Sequence, residues 1–392
     1  MVSHLTRLLG PAHLDLAEES VQETMLRAVQ TWPHRGVPEN AAAWLFRVAH
    51  NAAIDAVRRR RLTAEKERQA LDDLDRAAAG VSTNPDLDER LRDDELRMIF
   101  MCCHPEVPRD AAVALSLKTV GGFSVREIAR AFLADEAAIA QRLVRAKRQI
   151  RDRGLTLDMP LGPALPPRLD AVLDVIYLIF NEGYTAHEGD LLIRHDLAGE
   201  ALRLGVLVAG STLADPRVHA LVALMALQAA RTQARVDALG DLVLLEDQDR
   251  ALWDRRLLAL GFHHFDRCIA GERVTPYHVE AAIAATHARG GDWPIILSLY
   301  DDLMARHPSP VVALNRAVAV GKVHGPAAAL AALPEHPKLA GYYLHLAVRG
   351  HLLLQLGRRE EAAEAFRAAL KCPCSDPERR FLSRKLAECG TA

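Results

Sequence analysis

The chain has 392 residues, more than one ordinary core can organise, so two or three domains are expected. Half of it is apolar (50%) but only 5% is aromatic, and Ala and Leu dominate the apolar set, which predicts an all-α fold. The net charge of -2 hides arginines gathered in two short stretches around an acidic segment, and the sequence has no long charge-free apolar run and no signal-peptide pattern, so a soluble, cytoplasmic, membrane-free protein is expected.

Residues 14–31, LDLAEESVQETMLRAVQT, read as an amphipathic helix with Leu16, Val21, Met25, Leu26 and Val29 on or near one face. Asp15, Glu18, Glu19 and Glu23 make its other face acidic, which suits a helix N-terminus. Pro33, Gly36 and Pro38 end this helix, and Asn40 can cap the next, AAAWLFRVAHNAAIDAVRRRR. That helix runs into Arg58–Arg61, four cations that together form a phosphate-binding patch. Trp44 and Phe46 have the chemistry to stack on bases, although the spacing of Trp44 favours a place in the core. From Leu62 to Asp94 the chain is polar and acidic and reads as a tether.

Two apolar helices follow in LRMIFMCCHPEVPRDAAVALSLKTVGGF. The cysteines in this stretch are adjacent, and Cys372 and Cys374 near the other end are one residue apart. Neither pair is half of a zinc pattern, so all six are read as reduced packing thiols with no metal and no cofactor. Phe123–Arg151 then has the spacing of a helix-turn-helix. Ser124 and Glu127 form an S-x-x-E capping box, and Val125, Ile128, Ala129 and Phe132 make one apolar face. Asp135 is positioned to cap a second helix with Ala138, Ile139, Leu143 and Ala146 inside and Glu136, Gln141, Arg142, Arg145, Lys147 and Arg148 outside. Such a helix enters the major groove, its first residues reading base edges and its flanking cations holding phosphates; the alternative is a helical hairpin with a solvated basic face.

A Pro-rich boundary, MPLGPALPPR, precedes more than half of the chain. In VIYLIFNEGYTA, residues 175–186, Tyr177, Phe180 and Tyr184 are expected to pack, Gly183 to allow close approach at the helix end, and Asn181 and Glu182 to be pocket candidates. Farther on, GHLLLQLGRREEAAEAFRAALKCPC fits the tetratricopeptide pattern, with Gly350 at the small position, Gly357 at the turn and Ala362, Phe366 and Ala369 on the second helix. Ala284, Gly291 and Tyr300 occupy equivalent places two repeats earlier, with a degenerate unit at Asn315–Leu333 between them and atypical helices at Leu191–Gln233. A short solenoid with a concave surface follows from such stacking. His263, His264 and His287 are read as surface or packing residues.

The string DLAEESVQETMLRA from Asp15, followed by AWLFRVAHNAAIDAVRR from Ala43, resembles region two of the extracytoplasmic-function sigma factors of bacterial RNA polymerase. CCHP with EIARAFL and AQRLVRAKR resembles region four of one sigma-factor group with a long C-terminal extension, and VIYLIFNEGYTA looks like a hallmark of that group. The resemblance implies polymerase docking by Asp15, Glu18, Gln22 and Glu23. It implies minus-ten contacts by Asn51, Asp55, Arg58 and Arg59, with Asn51 near a flipped base. Minus-thirty-five contacts fall to Glu136, Ala138, Gln141, Arg142, Arg145, Lys147 and Arg148, and contacts of the extension with the sigma core to Tyr177, Phe180, Asn181, Glu182 and Tyr184.

Family members carry a further helix ahead of the acidic one, which is expected here to be missing or abbreviated. The implied organisation is region two at 1–62, an acidic linker at 63–90, region four at 91–155, a Pro-rich linker at 156–168 and a tetratricopeptide-like domain at 169–392. Core RNA polymerase and promoter DNA are the expected partners, with an intramolecular contact between extension and sigma core, and no residue is catalytic. Two other readings compete. One is a ligand-gated helix-turn-helix regulator with a repeat sensor, which would need neither the acidic docking helix nor the Asn51 string. The other is an enzyme using Glu182, His187 and His195, which lacks a nucleophile motif, a phosphate loop or metal spacing.

Overall fold

The computed structural model describes residues 1–59, 87–132, 134–184, 194–270 and 273–390. The side chains of Arg58 and Arg59, the residues Arg60 and Arg61, and most of the expected acidic linker lie outside the described residues. Apart from one isolated antiparallel bridge between Val236 and Leu242, every regular element among those described is helical. The chain divides into two compact units, Met1–Ile176 and Tyr177–Ala392.

The first unit opens with α1 (Val2–Leu9), α2 (Leu14–Arg35) and α3 (Ala41–Arg59). Helix α1 precedes the acidic helix α2. Its two turns suffice to bury Leu5 and Leu9 against Leu16, Ala17, Ala49, Ala53, Ile54 and Val57. It is also tied to α4 (Leu87–Cys102): Asp94 is bonded to the His4 ring at 2.7 Å and paired with Arg7 at 2.6 Å.

Helix α2 departs from the expected pattern in two ways. It runs past Pro33 to Arg35, because a proline in the last turn removes a single intrahelical bond, and it stops where the N–H of Gly36 bonds to Trp32 O at 2.9 Å. Its buried face is Leu14, Leu16, Ala17, Ser20, Thr24 and Ala28, with the Ser20 and Thr24 hydroxyls donating to the carbonyls of Leu16 and Ser20. Met25, Leu26 and Val29, expected on or near the inner face, are 44%, 57% and 71% exposed. Small residues that satisfy their own hydroxyls fit the interior here, which turns the large apolar ones outward.

Asn40 caps α3 as expected, its Oδ1 accepting from Ala43 N at 2.9 Å. Helices α4 and α5 (Arg109–Thr119) bury Met98–Cys103 and Ala111–Leu117. Cys102 and Cys103 lie beside the Thr119 and Ser116 hydroxyls, and burial pushes the Cys102 thiol up to about 12, so both are inert packing residues. Next come α6 (Val125–Ala131) and α7 (Glu136–Asp152). The capping box forms, with Ser124 N donating to Glu127 at 2.7 Å and Glu127 N to Ser124 Oγ at 3.1 Å. Asp135 occupies the N-cap of α7 without a side-chain cap bond, and the inner face of α7 is Ile139, Leu143, Ala146 and Ile150, leaving Ala138 exposed.

Helix α8 (Leu165–Tyr184) begins inside the segment expected to be a Pro-rich linker. Pro166 and Pro167 fall in its first turn, where the missing N–H groups have no intrahelical partner to lose. Leu169, Val172, Leu173 and Ile176 are buried, Arg168 donates to Phe100 O, and Asp174 pairs with Arg109 at 3.1 Å. The division between units falls within this helix.

The second unit continues through α9 (His195–Ala209), α10 (Pro216–Ala229), α11 (Arg255–Cys268), α12 (Pro276–Ala288), α13 (Trp293–Arg306), α14 (Pro310–His324), α15 (Pro326–Ala332), α16 (Tyr343–Gln355), α17 (Arg359–Ala369) and α18 (Asp376–Gly390). Residues Arg217–Leu227 of α10 are all buried, so α10 is the axis of the early part, packed by α9, α11 and α12. From α12 to α18 each helix packs on the next, which is the stacked arrangement read from the repeats. Two glycines set the closest approaches. A Cβ on Gly183 would meet Ala198 N at 2.4 Å, and one on Gly350 would meet the Phe366 ring at 2.8 Å.

His264 is buried rather than at the surface. Its Nδ1 lies 2.8 Å from Nδ1 of His219, an arrangement in which one neutral ring donates and the other accepts. Burial first, then the neighbouring imidazoles and Arg267, pull His264 down to about 4, and His219 moves in the same direction. An unfolded chain binds protons below the ordinary value of 6.5 that these folded residues refuse, so folding stability is full above pH 6.5 and falls as the pH drops towards 4. Urea unfolding of the full chain at pH 5 and 7.5 is therefore expected to show a loss at pH 5. His264→Gln should reduce the slope by up to ~1.4 kcal/mol per pH unit; an identical slope in the variant would contradict the buried neutral pair.

Candidate functional site

The exposed face of α7 is assembled by what lies beneath it. Ile139, Leu143, Ala146 and Ile150 anchor the helix while the capping box holds α6 behind it. Glu136, Ala138, Gln141, Val144, Arg145 and Arg148 are consequently presented to solvent. Arg142 is half-buried and pairs with Asp110 at 3.2 Å, Glu136 lies 3.9 Å from Arg126, and Arg148 pairs with Asp152 at 3.1 Å. These are partly exposed pairs, worth at most about 1 kcal/mol each and readily exchanged for another anion.

Lys147 is different. Its ammonium donates to Asp15 Oδ1 and to Glu18 Oε2, both at 2.8 Å, where α7 packs against the turn at Pro11–His13 that starts α2. The Lys147 side chain is 14% exposed and that of Glu18 12%, so this pair is largely withdrawn from water. Burial opposes the charge on Lys147, but the two carboxylates outweigh it and hold the ammonium above the usual lysine range. The structure thus brings together residues that the sequence assigned to two separate surfaces: a phosphate-holding lysine and two docking carboxylates.

The other expected docking residues are not in this clasp. Gln22 is exposed, and Glu23 pairs with Arg27 at 2.5 Å. Gln22 continues along α2 into the outward stripe of Met25, Leu26 and Val29. The signal that could have exposed this stripe is the small set Ala17, Ser20, Thr24 and Ala28, which has helical spacing of its own. On α3, Asn51 and Asp55 face outward. Trp44 leans on Trp32 at 5.5 Å, whereas Phe46 is buried against His4 at 5.6 Å and is a core residue.

Of the residues expected at the extension contact, Phe180 and Tyr184 are buried and stacked at 5.4 Å, and Asn181 is exposed. The Tyr177 hydroxyl donates to Glu280 Oε2 at 2.5 Å. Tyr177 and Tyr184 line a cavity of about 790 Å3 in the second unit, a feature that the sequence did not announce because its other walls come from distant helices. His195 is exposed at the first position of α9, and His187 lies outside the described residues. Among the described residues no group of three or more His, Cys, Asp or Glu could hold a metal ion, and no helix is long and apolar enough to cross a membrane.

Comparison with known proteins gives three family matches: Sigma-70 region 2 over residues 1–63, Sigma-70, region 4 over residues 97–150, and a family of unknown function (DUF6596) over residues 168–269. An uncharacterized protein of Rhizobium meliloti (strain 1021) is 44% identical over 381 residues, covering 95% of this chain and 90% of that protein. No solved structure matches.

The clasp makes a quantitative prediction. A double-mutant cycle with Glu18→Gln and Lys147→Gln, followed by urea unfolding of the full chain, should return a coupling energy of about 1–3 kcal/mol. Additive single substitutions would mean that the two side chains do not meet in solution.

Proposed function

We propose that this chain, which belongs to the extracytoplasmic-function sigma factors with a long C-terminal extension, joins polymerase by releasing the Lys147 clasp and is regulated by its extension. Its sigma regions bind core RNA polymerase and promoter DNA, and the polymerase supplies the catalysis. In this reading α2 docks on polymerase through Gln22, Glu23 and the stripe of Met25, Leu26 and Val29, joined by Asp15 and Glu18 once Lys147 leaves. The observation that carries it is that apolar stripe: a helix that keeps Ser20 and Thr24 inside and large apolar side chains outside is built to meet another surface.

Promoter contacts are divided by chemistry. Gln141 and Arg142 near the start of α7 choose the base sequence, Arg142 exchanging Asp110 for a base edge, and Glu136 and Ala138 border them. Arg145, Arg148 and the released Lys147 hold phosphates. On α3, Asn51 takes a base that has left the stack, while Asp55 and the cations Arg58 and Arg59 lie along the displaced strand. Regulation by the extension is supported by α8, a continuous helix that begins in the first unit and ends in the second, with Tyr177, Phe180, Asn181, Glu182 and Tyr184 in its last turns.

Run-off transcription with purified core polymerase tests the reading. The full chain should direct initiation from its own promoter. Leu26→Ser should weaken binding to core polymerase by about tenfold, the effect of ~1.4 kcal/mol, with an unchanged melting temperature. Gly183→Val, which drives a side chain into the Ala198 backbone, should change transcription while core binding persists. Undiminished core binding by Leu26→Ser would remove α2's outer stripe from the interface, and unaltered transcription by Gly183→Val would remove the extension from regulation.

A further inference from the structure

The second unit holds a cavity of about 790 Å3, to which residues from Tyr177 on α8 to Lys385 on α18 contribute. Its volume is that of a small-molecule site, ~300–1,000 Å3. The walls have an unusual composition for this chain. Aromatic residues are only 5% of the sequence, yet two of the four tryptophans, Trp253 and Trp293, and three of the six tyrosines, Tyr177, Tyr184 and Tyr300, line this one space. Such walls suit a planar, largely apolar body.

The charges in the cavity do not balance. Arg231 has no carboxylate partner among the described residues, and its guanidinium carbon sits 5.7 Å from the centre of the Tyr184 ring. The acids that line the same cavity are engaged by neighbours in its wall. Glu246 is paired with Lys322, and Glu280 accepts the Tyr177 hydroxyl while burial raises its carboxyl above the usual range, which favours the uncharged form. His287 packs edge-on against Trp293 at 5.2 Å, and burial, Arg231 and Arg250 bring it down to about 4, so it is neutral near pH 7. Lys322, already paired with Glu246, sits with its Nζ 5.8 Å from the centre of the Trp293 ring, which leaves Arg231 as the cation without a carboxylate among the described residues that line the cavity.

Two donors are also left over. Among the described residues the Trp253 indole N–H and the Tyr184 hydroxyl are buried without a hydrogen-bond partner, and both residues line the cavity. Buried donors in folded proteins are normally satisfied, and an acceptor on a ligand would satisfy these. The cavity is therefore rich in donors and poor in available negative charge.

We propose that this cavity binds a small anionic ligand with a planar aromatic body, its carboxylate or phosphate held by Arg231 and its ring packed against Trp253 and Trp293. An Arg guanidinium matches either anion in a two-point contact. The site is distinct from the surfaces assigned to polymerase and DNA, and its test uses the full chain without polymerase, so its failure leaves the transcription reading untouched.

Isothermal titration of the full chain with 1-naphthoate, 1-naphthyl phosphate and the neutral 1-naphthalenemethanol decides it. At least one anion should bind with one site per chain and at least about tenfold more tightly than the neutral compound; whichever binds identifies carboxylate or phosphate as the head group. Arg231→Gln should remove that preference while binding of the neutral compound persists, and Trp293→Ala should weaken all binding. If Arg231→Gln is unfolded by circular dichroism, Lys322→Gln takes its place, with a smaller loss of anion affinity expected. Equal affinity for neutral and anionic compounds, an unaltered preference in a folded charge variant, or no binding by either anion overturns the proposal. So does binding of polyglutamate without a response to either naphthyl anion, which would make the concave face a peptide site.

Discussion

One ionic contact joins the start of α2 to α7 in the first unit: the Lys147 ammonium held by Asp15 and Glu18. Two largely buried charges are stable only as long as they have each other, since a lysine or glutamate left alone there would carry the full cost of lost hydration. The contact is the closed form of the clasp proposed above. In the function proposed above, the closed contact keeps Lys147 from DNA and the carboxylates from polymerase; opening returns Lys147 and Glu18 to water, where new partners of opposite charge compete for them on nearly equal terms. On that proposal the contact couples the two binding events, because a partner that takes Asp15 and Glu18 releases Lys147 for the other. Its geometry is set by short-range packing, with α7 against the turn before α2 and α1 held to α4 by Asp94.

Much of the fold was legible because helix signals are local. The capping box at Ser124, the Asn40 cap and the buried stripe of α7 are all written within a few residues of where they act. The failures are also physical. Pro33 and the pair Pro166 and Pro167 read as breaks, yet each sits in a terminal turn, where proline removes little. The leading helix α1 was hard to see because two turns carry too few positions to establish a period, and its stability comes from Leu5, Leu9 and the Asp94 network instead.

The candidate site was legible in its residue types and less so in its arrangement. The sequence identified which face of α7 is basic, and the helix presents Gln141, Arg145 and Arg148 as that pattern requires. The union of Lys147 with residues more than a hundred positions away has no sequence signal, since a salt bridge specifies nothing but opposite charge. The outward stripe of α2 was misread for a different reason: large apolar residues were taken as the inner face, whereas the interior there is filled by Ala, Ser and Thr. The cavity of the second unit is the extreme case, since Arg231, Trp253 and Trp293 become neighbours only after several helices have stacked.

The central claim is that the clasp is closed in the free chain and open in the working complex. The distance between spectroscopic labels introduced at Gln30 on α2 and Arg151 on α7, both exposed, reads this directly in the full chain. A single narrow distance distribution is predicted for the free protein, shifting to longer distances when core RNA polymerase and promoter DNA are added together. A distribution that stays the same in the transcribing complex, or one already broad in the free chain, would contradict the account.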